Sequence, residues 1–228
     1  MINTHREAFV VIRRNAGWLT LSALAGGGLN FVYALALTWL LPLNQYPVFA
    51  GTQALLVVCG TAAASSTPWM LSQRLARNAS PAMRRHDINF AVVLTIGQGL
   101  FAGMVIGIVA SGLARGLGAL PLVAAGSAFA IFGAATSTGY LQGHQHFGRL
   151  ALLLAGEVVL KVLSGVFLIS AGAGTVGVIA GIGLGAVAVV AVAAPPMLRE
   201  LEIGVRWLWD RQLWRLLLGL TGVQASVV

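Results

Sequence analysis

The chain has 228 residues, 58% of them hydrophobic and 9% charged, with a mean hydropathy of +0.88. A soluble domain carries about 25% charged residues, so 14 basic and 6 acidic side chains cannot solvate a globule of this size. A soluble enzyme, a disordered tail and a disulfide-stapled secreted domain are set aside, the last because Cys59 has no second cysteine to pair with. The net charge of +8 does not point to nucleic acid either, because the basic residues punctuate apolar runs and form no continuous patch.

An all-α, polytopic transmembrane helix bundle remains. A helix crossing the hydrocarbon core needs about 20 mostly apolar residues. Between Arg14 and Arg74 lie 59 uncharged residues, the length of two spans. Pro42-Leu43-Asn44-Gln45-Tyr46-Pro47 supplies the turn between them. Span 1 is expected over about 17–41 and span 2 over about 47–71. Within span 2, Ser65-Ser66-Thr67-Pro68 predicts a kink, since hydroxyls beside a proline bond the carbonyls it frees. Asp87 to Arg115 leaves 27 uncharged residues for span 3, about 88–114, and Arg115 to Arg149 leaves 33 for span 4, about 119–142. Span 5 runs over about 150–171 with Glu157 and Lys161 inside it. The turn Ala171-Gly172-Ala173-Gly174 leads to span 6, about 175–198, with Pro195 and Pro196 near its end. Residues 1–198 form one six-helix lobe on this reading. Residues 199–228 form an interfacial segment, where Trp207, Trp209 and Trp214 alternate with Arg206, Arg211 and Arg215, followed by a cut-short seventh span.

Outer-membrane strands are about 10 residues long and alternate apolar with polar; these runs are longer and do not alternate. The first run is also too long and continuous for a cleaved signal segment. Basic residues near span ends give the orientation. Twelve fall on the side of the N-terminus, the 2–3 and 4–5 loops and the end of span 6; only Arg115 falls opposite. The N-terminus is therefore expected in the cytoplasm. Thirteen of the 14 basic residues are arginine, which together with abundant Gly and Ala points to a bacterial, inner-membrane protein.

Two small-residue stripes stand out: Gly99, Gly103, Gly107 and Ser111 in span 3, and Gly177, Gly181 and Gly185 in span 6. They predict close helix packing, or a surface that slides in a transport cycle. Gly26-Gly27-Gly28 marks a packing notch or a bend. Glu157 and Lys161, at i and i+4, share one face, and each charge alone at mid-bilayer costs about 3 kcal/mol. They are read as a polar lining that meets an anionic head group, or as a self-neutralised pair holding helices in register. Asn30, Gln53 and Gln98 are intramembrane amides, expected to bond across helices or line a cavity. His144 and His146 lack a nearby Cys or carboxylate, so no metal is expected, and Cys59 reads as apolar filler. HExxH, GxSxG, P-loop and acidic metal clusters are absent from the sequence, so neither an enzyme nor a cofactor is expected.

Three stretches carry a family resemblance. The first is Gly28-Leu29-Asn30-Phe31, with Leu40-Leu41-Pro42 and Tyr46-Pro47-Val48-Phe49. The second is the arginine-rich loop 74–85. The third is Tyr140-Leu141-Gln142-Gly143 through Phe147-Gly148-Arg149, with Glu157 and Lys161 following. The chain resembles the first half of the polysaccharide (O-antigen-type) flippases of the multidrug/oligosaccharidyl-lipid/polysaccharide exporter superfamily. The resemblance implies two six-helix lobes that rock about a central cavity and move a polyprenyl-diphosphate-linked oligosaccharide to the outer leaflet. It implies that Lys161 holds the diphosphate, that Glu157 tunes it, and that Arg149 and Arg74 stand at the cytoplasmic mouth. Asn30, Gln98 and Gln142 complete the expected lining. Family members have about twice as many spans, so a truncated product, or pairing with a second lobe or a second copy, is expected. A small-molecule exporter of the same superfamily and a non-transporting scaffold for glycan synthesis are the alternatives.

Overall fold

The computed structural model describes residues 2–65, 67–77, 80–114 and 117–201, with side chains at 17 and from 19 onward. The segment expected at the interface and the short seventh span lie outside the described residues from 202 on. So do Arg115 and the side chains of Arg6, Arg13 and Arg14.

Seven helices form among the described residues: α1 (Ile2–Leu40), α2 (Tyr46–Ser65), α3 (Thr67–Arg77), α4 (Pro81–Leu113), α5 (Leu120–Gly143), α6 (Phe147–Ser170) and α7 (Gly174–Leu198). α2 and α3 are the two parts of span 2, so six runs are long and apolar enough to cross a membrane. In lipid every backbone group must bond internally, and a helix does this without help from its neighbours. The division between α2 and α3 is residue 66, which lies outside the described residues. α4 begins seven residues before the predicted span. Pro81 sits in its first turn, where a missing N–H costs nothing.

Half of the residues in the apolar windows of α5 and α7 are buried, against 11% in α1 and 6% in α6. α5 and α7 are therefore the centre of the bundle. α4, α2 and α3 pack on α5; α6 packs on α7, and α1 on α6. Lipid tails are as apolar as leucine, so close van der Waals fit, rather than escape from water, holds these helices together. The stripes provide it. A Cβ on Gly103 would stand 2.9 Å from the carbonyl oxygen of Ala125, so α4 and α5 touch backbone to backbone. A Cβ on Gly181 would stand 2.9 Å from both Lys161 O and Gly165 N, which gives α7 and α6 the same contact. Gly26 meets Val158, whereas Gly27 and Gly28 face open space, and α1 runs unbroken through all three. Polar ties cross the α4–α5 and α5–α7 interfaces: Thr95 and Thr136 hydroxyls lie 2.5 Å apart, and Ser127 Oγ donates to Ile179 O at 3.1 Å.

The ends are also tied. The turn before α7 places Gly172 and Gly174 at φ of 86° and 50°, which glycine adopts without strain. There Gln45 Oε1 accepts the Thr175 backbone N–H at 3.1 Å, and Thr175 Oγ1 donates to Gln45 O at 3.2 Å. The α1–α2 turn thereby caps a helix that starts some 130 residues later. Cys59 is buried in the core beside the α5 face, as an apolar filler is.

Candidate functional site: a polar cavity between α1, α2, α6 and α7

α1 packs on α6 rather than along α2, which leaves a cavity of about 270 Å³ between them. Asn30 and Tyr33 of α1, Phe49 and Gln53 of α2, Lys161 of α6 and Val178 of α7 line it. Lys161 Nζ donates to Asn30 Oδ1. An ammonium has three donors, so two remain for the cavity. The Tyr33 hydroxyl is buried with no hydrogen-bond partner among the described residues. At this volume the cavity is slightly smaller than the ~300–1,000 Å³ typical of small-molecule sites, suited to an ion, a phosphate-sized group or a few waters.

The backbone behind Lys161 is set by the glycines of α7. A Cβ on Gly185 would meet Glu157 O at 3.0 Å, Glu157 Cγ at 3.3 Å and Lys161 Cβ at 3.4 Å. Bare α7 backbone is thus the seat for both charged stems. Lys161 turns from that seat across to α1, and no Glu157–Lys161 ion pair at salt-bridge distance forms among the described residues. The i, i+4 spacing puts the two groups on one face, as expected. Asn30, not Glu157, is the direct partner of the ammonium.

The other expected lining residues lie elsewhere. Gln98 Oε1 accepts from Thr67 Oγ1 at 3.0 Å and ties α4 to the first turn of α3, the bonding role expected of an intramembrane amide. Gln142 is half-buried near the end of α5, and Arg149 is exposed in the first turn of α6. Arg74 Nε lies 2.7 Å from Asp87 Oδ1, and Asp87 is fully buried. Arg74 is therefore held by a carboxylate of its own chain and is not a free cation at a mouth.

That ion pair belongs to a second polar cluster, at the end of the bundle where α3, α4, α5 and α7 meet. Arg84 bonds His144 Nε2, and His144 Nδ1 lies 3.0 Å from Tyr140 O. Tyr140 OH donates to Glu200 Oε1 at 2.7 Å. His144 thus has both ring nitrogens engaged within the chain. Sequence reading passed over Asp87, Tyr140 and Glu200. The one available cue is that Asp87 is the last charge before 27 uncharged residues, which seats it at the membrane boundary.

No protein-family profile and no curated protein matches the chain. Two solved structures share its fold. One is a multidrug resistance MATE family transporter of the MOP superfamily in an outward-facing conformation, with TM-score 0.68 and 18% identity, covering 90% of this chain and 50% of that one. The other is a MOP superfamily transporter from Pyrococcus furiosus whose binding pocket has reversed polarity, with TM-score 0.69 and 17% identity, covering 93% and 52%. Neither is described as a polysaccharide flippase, and the likeness to both is one of fold. The chain spans about half the length of these transporters, and its six-span bundle has the fold of half of one.

Proposed function

We propose that this chain is one lobe of an alternating-access membrane transporter, and that Lys161 receives an anionic group of the substrate. The observation that carries the reading is the placement of Lys161: a cation within a membrane span, turned into a polar cavity, bonded to a neutral amide and not to a carboxylate. Ionisable groups inside membranes are costly and mark substrate or ion paths. A lipid-linked oligosaccharide fits the anion through its diphosphate, and the 270 Å³ cavity takes that group alone. The sugar needs the space between this lobe and a second one. The inner membrane of a bacterium, with the N-terminus in the cytoplasm, is the setting the arginine distribution favours.

A second reading, export of small molecules, is favoured by the multidrug transporter among the structural neighbours. The cation at Lys161 weighs against cationic drugs and leaves anionic ones. Membrane vesicles bearing the full chain, with and without Lys161→Met, test both. Loss of lipid-linked glycan translocation at unchanged folded protein supports the first reading. Loss of anionic dye efflux with glycan export intact supports the second. If both survive the substitution, the transport proposal fails and a scaffold role stands.

A further inference from the structure

A second cavity, of about 420 Å³, opens on the outside of the bundle between the first halves of α1 and α6. It is independent of the transport reading. α1 and α6 touch at Gly26 and Val158 and again at Asn30 and Lys161. Toward their N-terminal ends the contact is lost, because the facing residues, Ala25, Gly148, Ala151 and Ala155, are too small to fill the gap. Leu21 and Leu152 form exposed lips at 58% and 75% exposure. Ser22 also lines the groove, but its hydroxyl donates to Leu19 O at 3.0 Å, so the lining is apolar throughout.

Between Gly148 and Ala155 the groove runs about 10 Å along the helix axis. A flexible hydrocarbon chain fits a slot of that length, and dispersion contacts with the groove walls would replace those missing between the helices. One end of the groove carries charge. Arg149 follows Gly148 in the first turn of α6, is exposed, and makes no hydrogen bond or ion pair among the described residues. An apolar slot with an exposed arginine at one end is complementary to a fatty tail with an anionic head.

We propose that this groove binds one acyl chain of an anionic phospholipid from the surrounding membrane, with Arg149 at the head-group phosphate. The test uses the full chain in nanodiscs that contain phosphatidylglycerol carrying a diazirine in one tail. On irradiation, the label is expected on the peptides around residues 21–25 and 148–155. A phosphatidylcholine probe is expected to label them about fivefold less, the worth of one arginine at an anionic surface. Arg149→Gln is expected to bring the phosphatidylglycerol probe down to the phosphatidylcholine level. Ala151→Phe is expected to abolish labelling with both probes. Equal labelling by the two probes in the unsubstituted chain overturns the proposal, as does stronger labelling by a diazirine-bearing polyprenyl phosphate. Label spread evenly over all lipid-facing helices overturns it as well. Arg149 is exposed and its replacement leaves packing untouched, so the charge arm reads out even if Ala151→Phe does not fold.

Discussion

Gly181→Ala tests the claim that bare backbone contact between α6 and α7 seats Lys161. The added methyl would stand 2.9 Å from Lys161 O and from Gly165 N, and 3.0 Å from Gly165 Cα. Ordinary contact begins near 3.4 Å, so α6 must retreat by about half an ångström. All three atoms are backbone or glycine Cα, so no side-chain rotation relieves the clash. Overpacking of this kind costs about 1–3 kcal/mol, while alanine regains up to about 1 kcal/mol of helix propensity. The control is Gly97→Ala in α4, where nothing lies within 4 Å and only the propensity gain remains. The two variants are expected to differ by the overpacking cost alone, about 2–4 °C of melting temperature per kcal/mol for a chain of this size. Thermal unfolding in detergent, followed by tryptophan fluorescence, measures the gap. If Gly181→Ala melts at or above Gly97→Ala, the helices do not meet through bare backbone and the account of how Lys161 is positioned is wrong.

Removal of the buried carboxylate in Asp87→Ala leaves Arg74 without its partner and is expected to cost about 3–5 kcal/mol; converting both residues to leucine recovers most of that, read from denaturation midpoints. Tyr140→Phe loses a 2.7 Å bond to Glu200 and is expected to cost about 1–2 kcal/mol, whereas Tyr33→Phe deletes a hydroxyl with no hydrogen-bond partner among the described residues and is expected to be neutral or better. Equal losses for the two tyrosines would contradict the assigned partners. Cysteines placed at the exposed positions Arg77 and Gln145 are expected to react with a membrane-impermeant thiol reagent from one face, and cysteines at Leu43 and Ala171 from the other. Reaction of Arg77→Cys and Gln145→Cys from opposite faces would break the six-span threading.

Six helices long enough to span were legible without coordinates, because the length of an uncharged run is a local property and a bilayer demands about 20 residues of it, whereas α1 and α4 begin at Ile2 and Pro81, well before the spans read from the sequence. The glycine stripes announced close packing, and they pack closely, but their partners could not be named: Gly103 against Ala125 and Gly181 against Gly165 depend on which helices become neighbours. That choice is made by fit between surfaces remote in the chain. It brought Asn30 to Lys161 across 131 residues, where spacing alone had offered Glu157 as the partner. Burial sorted the charges in the same way. Arg74 and Arg149 look alike as loop arginines, yet only Arg74 meets a fully buried aspartate, and Arg149 stays in the open. Composition and run length thus determined that the described residues hold six helices long and apolar enough to cross a membrane. Only the packed bundle decided which polar groups face one another, because in lipid those contacts follow from shape complementarity among helices and from no periodicity within any one of them.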